Sequence, residues 1–251
     1  MEDTGFYVTL PSNASLSIYP DNKISSYTTK FARPIELRGE WEVGLAEIQY
    51  PHTWSSITRD DCAFYTYDHI KKTRRAHSIS CGYYKNIPIL LDEMNHNSEP
   101  MLEGLEIAYG PIKNKIYIVC EPHISLVAEG KIARMLGLEP GVNLTSAKPV
   151  APHPVDLSAG FYTLYVYTDV IDYQRVGDSF VPLLRNVHIS GTNNDIITIS
   201  YEKPHYVPVS KKHIDNITIE LKTDQNQNVN FRYGKVIAKL HFRPVKHHYH
   251  E

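Results

Sequence analysis

Along much of this chain apolar and polar side chains alternate at every second residue, a pattern that a strand can bury on one face and a helix cannot. In Ile217-Thr218-Ile219-Glu220-Leu221-Lys222 the isoleucines and the leucine share one face, and Thr, Glu and Lys share the other. Between Lys235 and Arg243, Val236, Ala238, Leu240 and Phe242 point one way, and Lys235, Lys239, His241 and Arg243 point the other, with Ile237 the exception. Phe6 to Leu10, Leu16 to Tyr19 and Phe161 to Val170 read as further strands, rich in aromatic and β-branched residues. Trp41, Val43 and Leu45 alternate cleanly, but Ile48 and Tyr50 continue one residue out of phase. That slip predicts a bulge near Ala46-Glu47.

Helical periodicity is confined to the middle third. Asn86 can cap a helix whose Ile87, Leu90, Leu91 and Met94 fall on one stripe, and Pro88 is tolerable in its first turn. A second short helix is expected through Lys131 to Leu136, with Gly137 as its left-handed C-terminal residue. Between them Leu105, Ile107 and Tyr109 alternate toward Gly110-Pro111, and Ile116, Ile118 and Cys120 return as a hairpin. Proline and glycine cluster from Leu138 to Pro154 and mark the best boundary. The expected fold is mainly all-β, a single jelly-roll β-sandwich with a small αβ insertion, a single barrel being the alternative. Residues 1–59 and 151–251 would supply the jelly-roll strands, and residues 60–150 the inserted subdomain.

Composition removes several classes of function. With 251 residues, 42% of them hydrophobic, and a net charge of −2, the chain can build a core and is not intrinsically disordered. Near-neutrality argues against a dedicated duplex-DNA binder, so direct contact with nucleic acid is not expected. No apolar run approaches the roughly 20 residues of a membrane helix, and the opening Met1-Glu2-Asp3-Thr4-Gly5 does not read as a secretory signal. A soluble, intracellularly made chain with free thiols is the expectation, and the Asn-x-Ser/Thr triplets at Asn13, Asn143 and Asn216 are read as chance.

No phosphate loop, nucleophile elbow, zinc helix or dinucleotide fingerprint occurs. Of the 13 histidines only His248 and His250 form a His-x-His pair, inside the terminal run from His247 to Glu251. This reads as a polar tail, and the distant reading of a cupin-like metalloenzyme rests on little else. Cys62, Cys81 and Cys120 read as small core residues, and Lys71-Lys72-Thr73-Arg74-Arg75 as a solvated loop. No catalytic, cofactor-binding or metal residue is therefore assigned, and no enzyme activity is expected. Tyrosine, at 18 positions, suits surfaces that are wet alone and buried on assembly.

Three stretches resemble hallmarks of the minor capsid (penton) proteins of Polinton, or Maverick, virus-like transposons. The first is Glu36-Leu37-Arg38-Gly39-Glu40-Trp41-Glu42-Val43-Gly44-Leu45-Ala46-Glu47-Ile48-Gln49-Tyr50-Pro51. The second runs from Val176-Gly177-Asp178-Ser179-Phe180 to Arg185, and the third joins Tyr206-Val207-Pro208-Val209 to the segment Phe231 to Arg243. Ile132-Ala133-Arg134-Met135-Leu136-Gly137 is similar to a helix in the insertion of adenovirus-type penton bases. The resemblance implies a single jelly roll forming a homopentamer at the fivefold vertices of an icosahedral virion capsid. Its neighbour there would be a double-jelly-roll major capsid protein. The alternative is a jelly-roll module binding a glycan or receptor, including a host-recruited copy that no longer assembles.

Overall fold

The computed structural model describes residues 5–139 and 141–245. The chain opens with β1 (Phe6–Pro11), β2 (Ser26–Glu36) and β3 (Trp41–Pro51). There follow β4 (Ala63–Asp68), β5 (Thr73–Ser78), α1 (Ile87–His96), β6 (Leu105–Gly110), β7 (Lys115–Cys120), β8 (Ile124–Val127), α2 (Gly130–Met135) and β9 (Asn143–Thr145). The last part holds β10 (Thr163–Thr168), β11 (Gln174–Val176), β12 (Ser179–Val181), β13 (Leu183–His188), β14 (Ile196–Ser200), β15 (Tyr206–Pro208), β16 (His213–Lys222) and β17 (Ile237–Pro244). Two compact units result, one from the chain up to Trp54 together with the chain from Tyr162 onward, the other Ser55–Phe161.

The first unit is a two-sheet sandwich. One sheet has the order β1-β17-β3-β14 with β15 also on β3, and the other has the order β13-β10-β16-β2. The pairings are nested. β1 pairs with β17, β2 with β16, β3 with β14, and β10 with β13, all antiparallel. Such a chain is one long two-stranded ribbon, folded so that successive segments fall on opposite sheets, which is the wrapped topology of a jelly roll. The alternating residues close the space between the sheets: Leu10, Val43, Leu45, Ile48, Leu164, Val166, Ile217, Ile219, Leu221, Ala238, Leu240 and Phe242 are all fully buried. Tyr27 is buried with them, and its hydroxyl donates to the Leu10 carbonyl at 2.9 Å, so the one polar atom it brings is satisfied. The register between β3 and β17 jumps from Glu47↔Lys239 to Leu45↔Leu240, leaving Ala46 unpaired as the expected bulge.

The second unit carries its own core. A four-stranded sheet, β5-β4-β8-β9, and the β6–β7 hairpin surround a cluster that includes Ile57, Phe64, Leu90, Met94, Ile116, Leu126 and Met135. The Asn86 side chain accepts from the Ile89 N–H, and Ile87, Leu90, Leu91 and Met94 are the buried face of α1, as their spacing requires. Asn95, near the other end of α1, donates to the Ile107 carbonyl at 2.8 Å and accepts from its N–H at 2.9 Å, strapping the helix to β6. Gly137 follows α2 at φ +73°, where an added Cβ would lie 2.2 Å from the His153 carbonyl oxygen. The proline-rich stretch from Leu138 to Pro154 lies inside this unit, with Leu144 and Ala151 buried and the Ala151 N–H bonded to the Ile116 carbonyl.

One expected strand is absent. Leu16 to Tyr19 is a turn in which the N–H groups of Ile18 and Tyr19 both donate to the Ser15 carbonyl. Ser15 sits at φ +56°, and Leu16 and Ile18 are exposed. Their alternation has no sheet to face.

Candidate functional site

In the second unit Asp68, Arg75, His77, Glu103, Glu121 and His123 line a recess of about 260 Å³. Its polar groups are held by one another: His123 Nε2 lies 3.4 Å from Glu121 and 4.0 Å from Asp68, and Arg75 lies 3.3 Å from Glu103. His77 is engaged at both ring nitrogens, by Thr66 Oγ1 at 2.9 Å and the Pro100 carbonyl at 2.6 Å. Among the described residues no group of three His, Cys, Asp or Glu side chains could hold a metal ion. The His247 to His250 tail lies outside the described residues.

Cys62 and Cys120 are partly buried against the second unit's core, whereas Cys81 is exposed and corrects the expectation of a core role for all three. Cys81 sits in the coil after β5, beyond Ile79, the last residue that turns inward there. Burial pushes the Cys62 thiol up, with the Cys81 thiol adding to it, and burial raises Cys120 as well, the opposite of what an activated nucleophile needs. The basic run is largely spoken for. Arg74 pairs with Glu129 at 2.8 Å and lies over the Tyr65 ring, Arg75 faces Glu103, and the Ile70 and Lys71 N–H groups close onto Asp68.

A second arrangement of interacting side chains lies on the outer face of the β1-β17-β3 sheet. Strands β15, β3 and β17 lie side by side there, in the row Tyr206↔Gly44↔His241. Gly44 is buried because the chain before β15 passes directly over it. A Cβ at that position would meet the His205 carbonyl oxygen and Pro204 Cβ, each at 2.8 Å. The Tyr206 hydroxyl lies 2.7 Å from His241 Nδ1, and the Tyr7 ring stacks on the His241 ring at 4.5 Å. Arg243 lies 3.5 Å over the Tyr206 ring and donates through Nε to Glu42 at 2.5 Å. Burial, and secondarily the Arg243 charge, hold the His241 imidazole below its usual range, so it is neutral near pH 7. Tyr206 and His241 engage each other and Arg243 pairs with Glu42, so the polar groups of this arrangement hold one another across three strands. His241 and Arg243 occupy polar positions of an alternating strand, and all three residues lie in the third of the resemblance segments, but neither signal brings them together.

The edges of the two sheets differ. On β2 the outward N–H of Ser26 is bonded to the Lys23 carbonyl, and that of Lys30 to Ser15 Oγ. Thr28 is matched at both its N–H and its carbonyl by the Asn22 amide, at 2.9 Å each, and Pro34 has no N–H to offer. On β13, at the far edge, the Leu183 carbonyl accepts from the Gln174 amide and the His188 carbonyl from the Tyr50 hydroxyl. Among the described residues the other sheet has no such guards at β1 and β14. Leu10 and Ser12 face β17, so by alternation the backbone groups of Tyr7 and Thr9 point away from the sheet. Tyr201 faces β3 in the same way, and Ile196, Thr198 and Ser200 point outward from β14. The backbone groups of these five residues have no hydrogen-bond partner among the described residues.

No protein-family model matches the sequence, and no curated protein matches it. Among solved structures, the crystal structure of the selenomethionine-labelled mavirus penton protein is similar, with a TM-score of 0.52 and 8% sequence identity. The match covers 96% of this chain and 100% of that one. At that identity the likeness is one of fold, and it agrees with the mainly β, jelly-roll architecture.

Proposed function

We propose that this chain is a penton-type minor capsid protein of a Polinton- or Maverick-like element. In this reading five copies close each fivefold vertex of an icosahedral shell, beside a double-jelly-roll major capsid protein, and the role is structural rather than catalytic. One observation carries it: the likeness to the mavirus penton protein runs nearly the full length of both chains. It therefore cannot be confined to the sandwich, since the second unit spans Ser55–Phe161. The first and third resemblance segments support the same reading, because they come together as β3, β15 and β17 in one sheet. No helix among the described residues is long and apolar enough to cross a membrane.

The test is coexpression with a double-jelly-roll major capsid protein of the same kind of element, followed by electron microscopy. Closed particles with fivefold density at every vertex are expected, and shells with open vertices when this chain is omitted. Vertices that look the same with and without it would refute the assignment.

A further inference from the structure

We infer that copies of this chain join strand to strand, the bare edge of β1 in one copy pairing with the bare edge of β14 in the next. The inference rests on the reading above, that the chain works as a ring of identical subunits. An unpaired strand edge is a template for another strand, and proteins that do not use one cover it. Here the covering is selective. Asn22, Ser15 and Pro34 close β2, and Gln174 and Tyr50 take two carbonyls of β13, whereas among the described residues Tyr7, Thr9, Ile196, Thr198 and Ser200 offer free N–H and carbonyl groups. Both bare edges belong to one sheet, and their strands are of nearly equal length, Phe6–Pro11 and Ile196–Ser200.

The directions agree as well. Each neighbouring pair in the order β1-β17-β3-β14 is antiparallel, so β1 and β14 run in opposite senses. A neighbour placed alongside with its strands aligned presents an antiparallel partner, the same ladder the sheet already uses. The side chains beside the two edges match too. Tyr7, 60% exposed, and Ile196, 70% exposed, both lie on the outer face of the sheet, at opposite margins. With the two strands in full antiparallel register, Thr9 of one copy faces Thr198 of the next, Tyr7 faces Ser200 and Ile196 faces Pro11, so joining the edges covers both exposed side chains. Because the two edges differ, the contact is head-to-tail, and repeating it closes a ring when the rotation is right.

Proline tests the contact directly, since at an outward position it removes a free N–H without breaking a backbone bond within the chain. Thr9→Pro disables one edge and Thr198→Pro the other. Sedimentation and native mass spectrometry should find each variant folded and monomeric where the wild-type chain forms a ring. An equimolar mixture should form a heterodimer and stop there, because only one intact β1–β14 contact can form. A variant that keeps the wild-type ring overturns the edge contact but leaves the capsid reading standing. Either variant dimerising alone overturns the head-to-tail arrangement. A wild-type chain that stays monomeric at its highest soluble concentration overturns both. Should proline unfold the sandwich, Ile196→Lys probes the same contact from an exposed side chain, and there the ring should dissociate about tenfold or more readily.

Discussion

His77 is held at both ring nitrogens, by Thr66 and the Pro100 carbonyl, with the Phe64 ring stacked at 5.2 Å. Burial is the main cause that lowers its proton affinity. The Arg75 charge lowers it further, and the Pro100 bond and Glu103 act the other way. His52 and His241 are lowered from 6.5 as well, each chiefly by burial. The sign follows from which state takes the proton first. An imidazole whose affinity is depressed in the fold is protonated earlier in the unfolded chain, so its contribution is complete above about pH 6.5 and is lost as the pH falls. The melting temperature should therefore decline between pH 7 and pH 5. Asp68, Asp195 and Asp215, lowered from 3.8, add a separate loss only in stronger acid. Replacing His77 with Asn should flatten the first decline, measured by thermal unfolding across that range. An unchanged slope would show that His77 is not among the groups responsible.

At the scale of elements, what distinguishes β2 from β1 is a side chain that imitates a strand. Asn22 gives Thr28 both halves of a ladder rung and also donates to the Ala14 carbonyl at 3.3 Å. Asn22→Ala should cost about 1–2 kcal/mol, since one donor and two acceptors lose their partners. It should also leave a bare edge on the second sheet, which exposes the chain to aggregation. Urea unfolding measures the first effect and light scattering during warming the second; no change in either would mean water replaces the amide without cost. Much of the architecture was legible because burial writes itself into spacing. Ile217, Ile219 and Leu221 announce an inner face, the phase slip after Leu45 announces the bulge at Ala46, and Asn86 with its stripe announces α1. Leu16 and Ile18 show where spacing misleads, because alternation says nothing about whether a partner strand exists, and Ser15 turns the chain there. The edge guards and the Tyr206, His241 and Arg243 contacts were not legible for a related reason. They depend on which distant strands become neighbours, and a single sequence carries no record of that pairing.

At the scale of the molecule, the nested ribbon holds a large excursion between β3 and β10, its closing pairs lying far apart in sequence. Loop-closure entropy grows only slowly with length, so a long insertion is a modest burden to a ribbon provided it orders itself. The cores bear on that proviso. Among the described residues, the cluster of buried residues that includes Phe64, Leu90, Ile116 and Met135 draws its members from Ile57 to Ala151. The unit also has its own capped helix, its own hairpin and its own four-stranded sheet. A fragment spanning Ser55–Phe161 should accordingly fold alone. The expected result is dispersed amide resonances and one cooperative thermal transition. A fragment with collapsed resonances and no transition would mean that this core forms only when the ribbon holds the ends of the insertion. In that case the sandwich must fold first, through its most distant pairings, and refolding of the whole chain should be correspondingly slow.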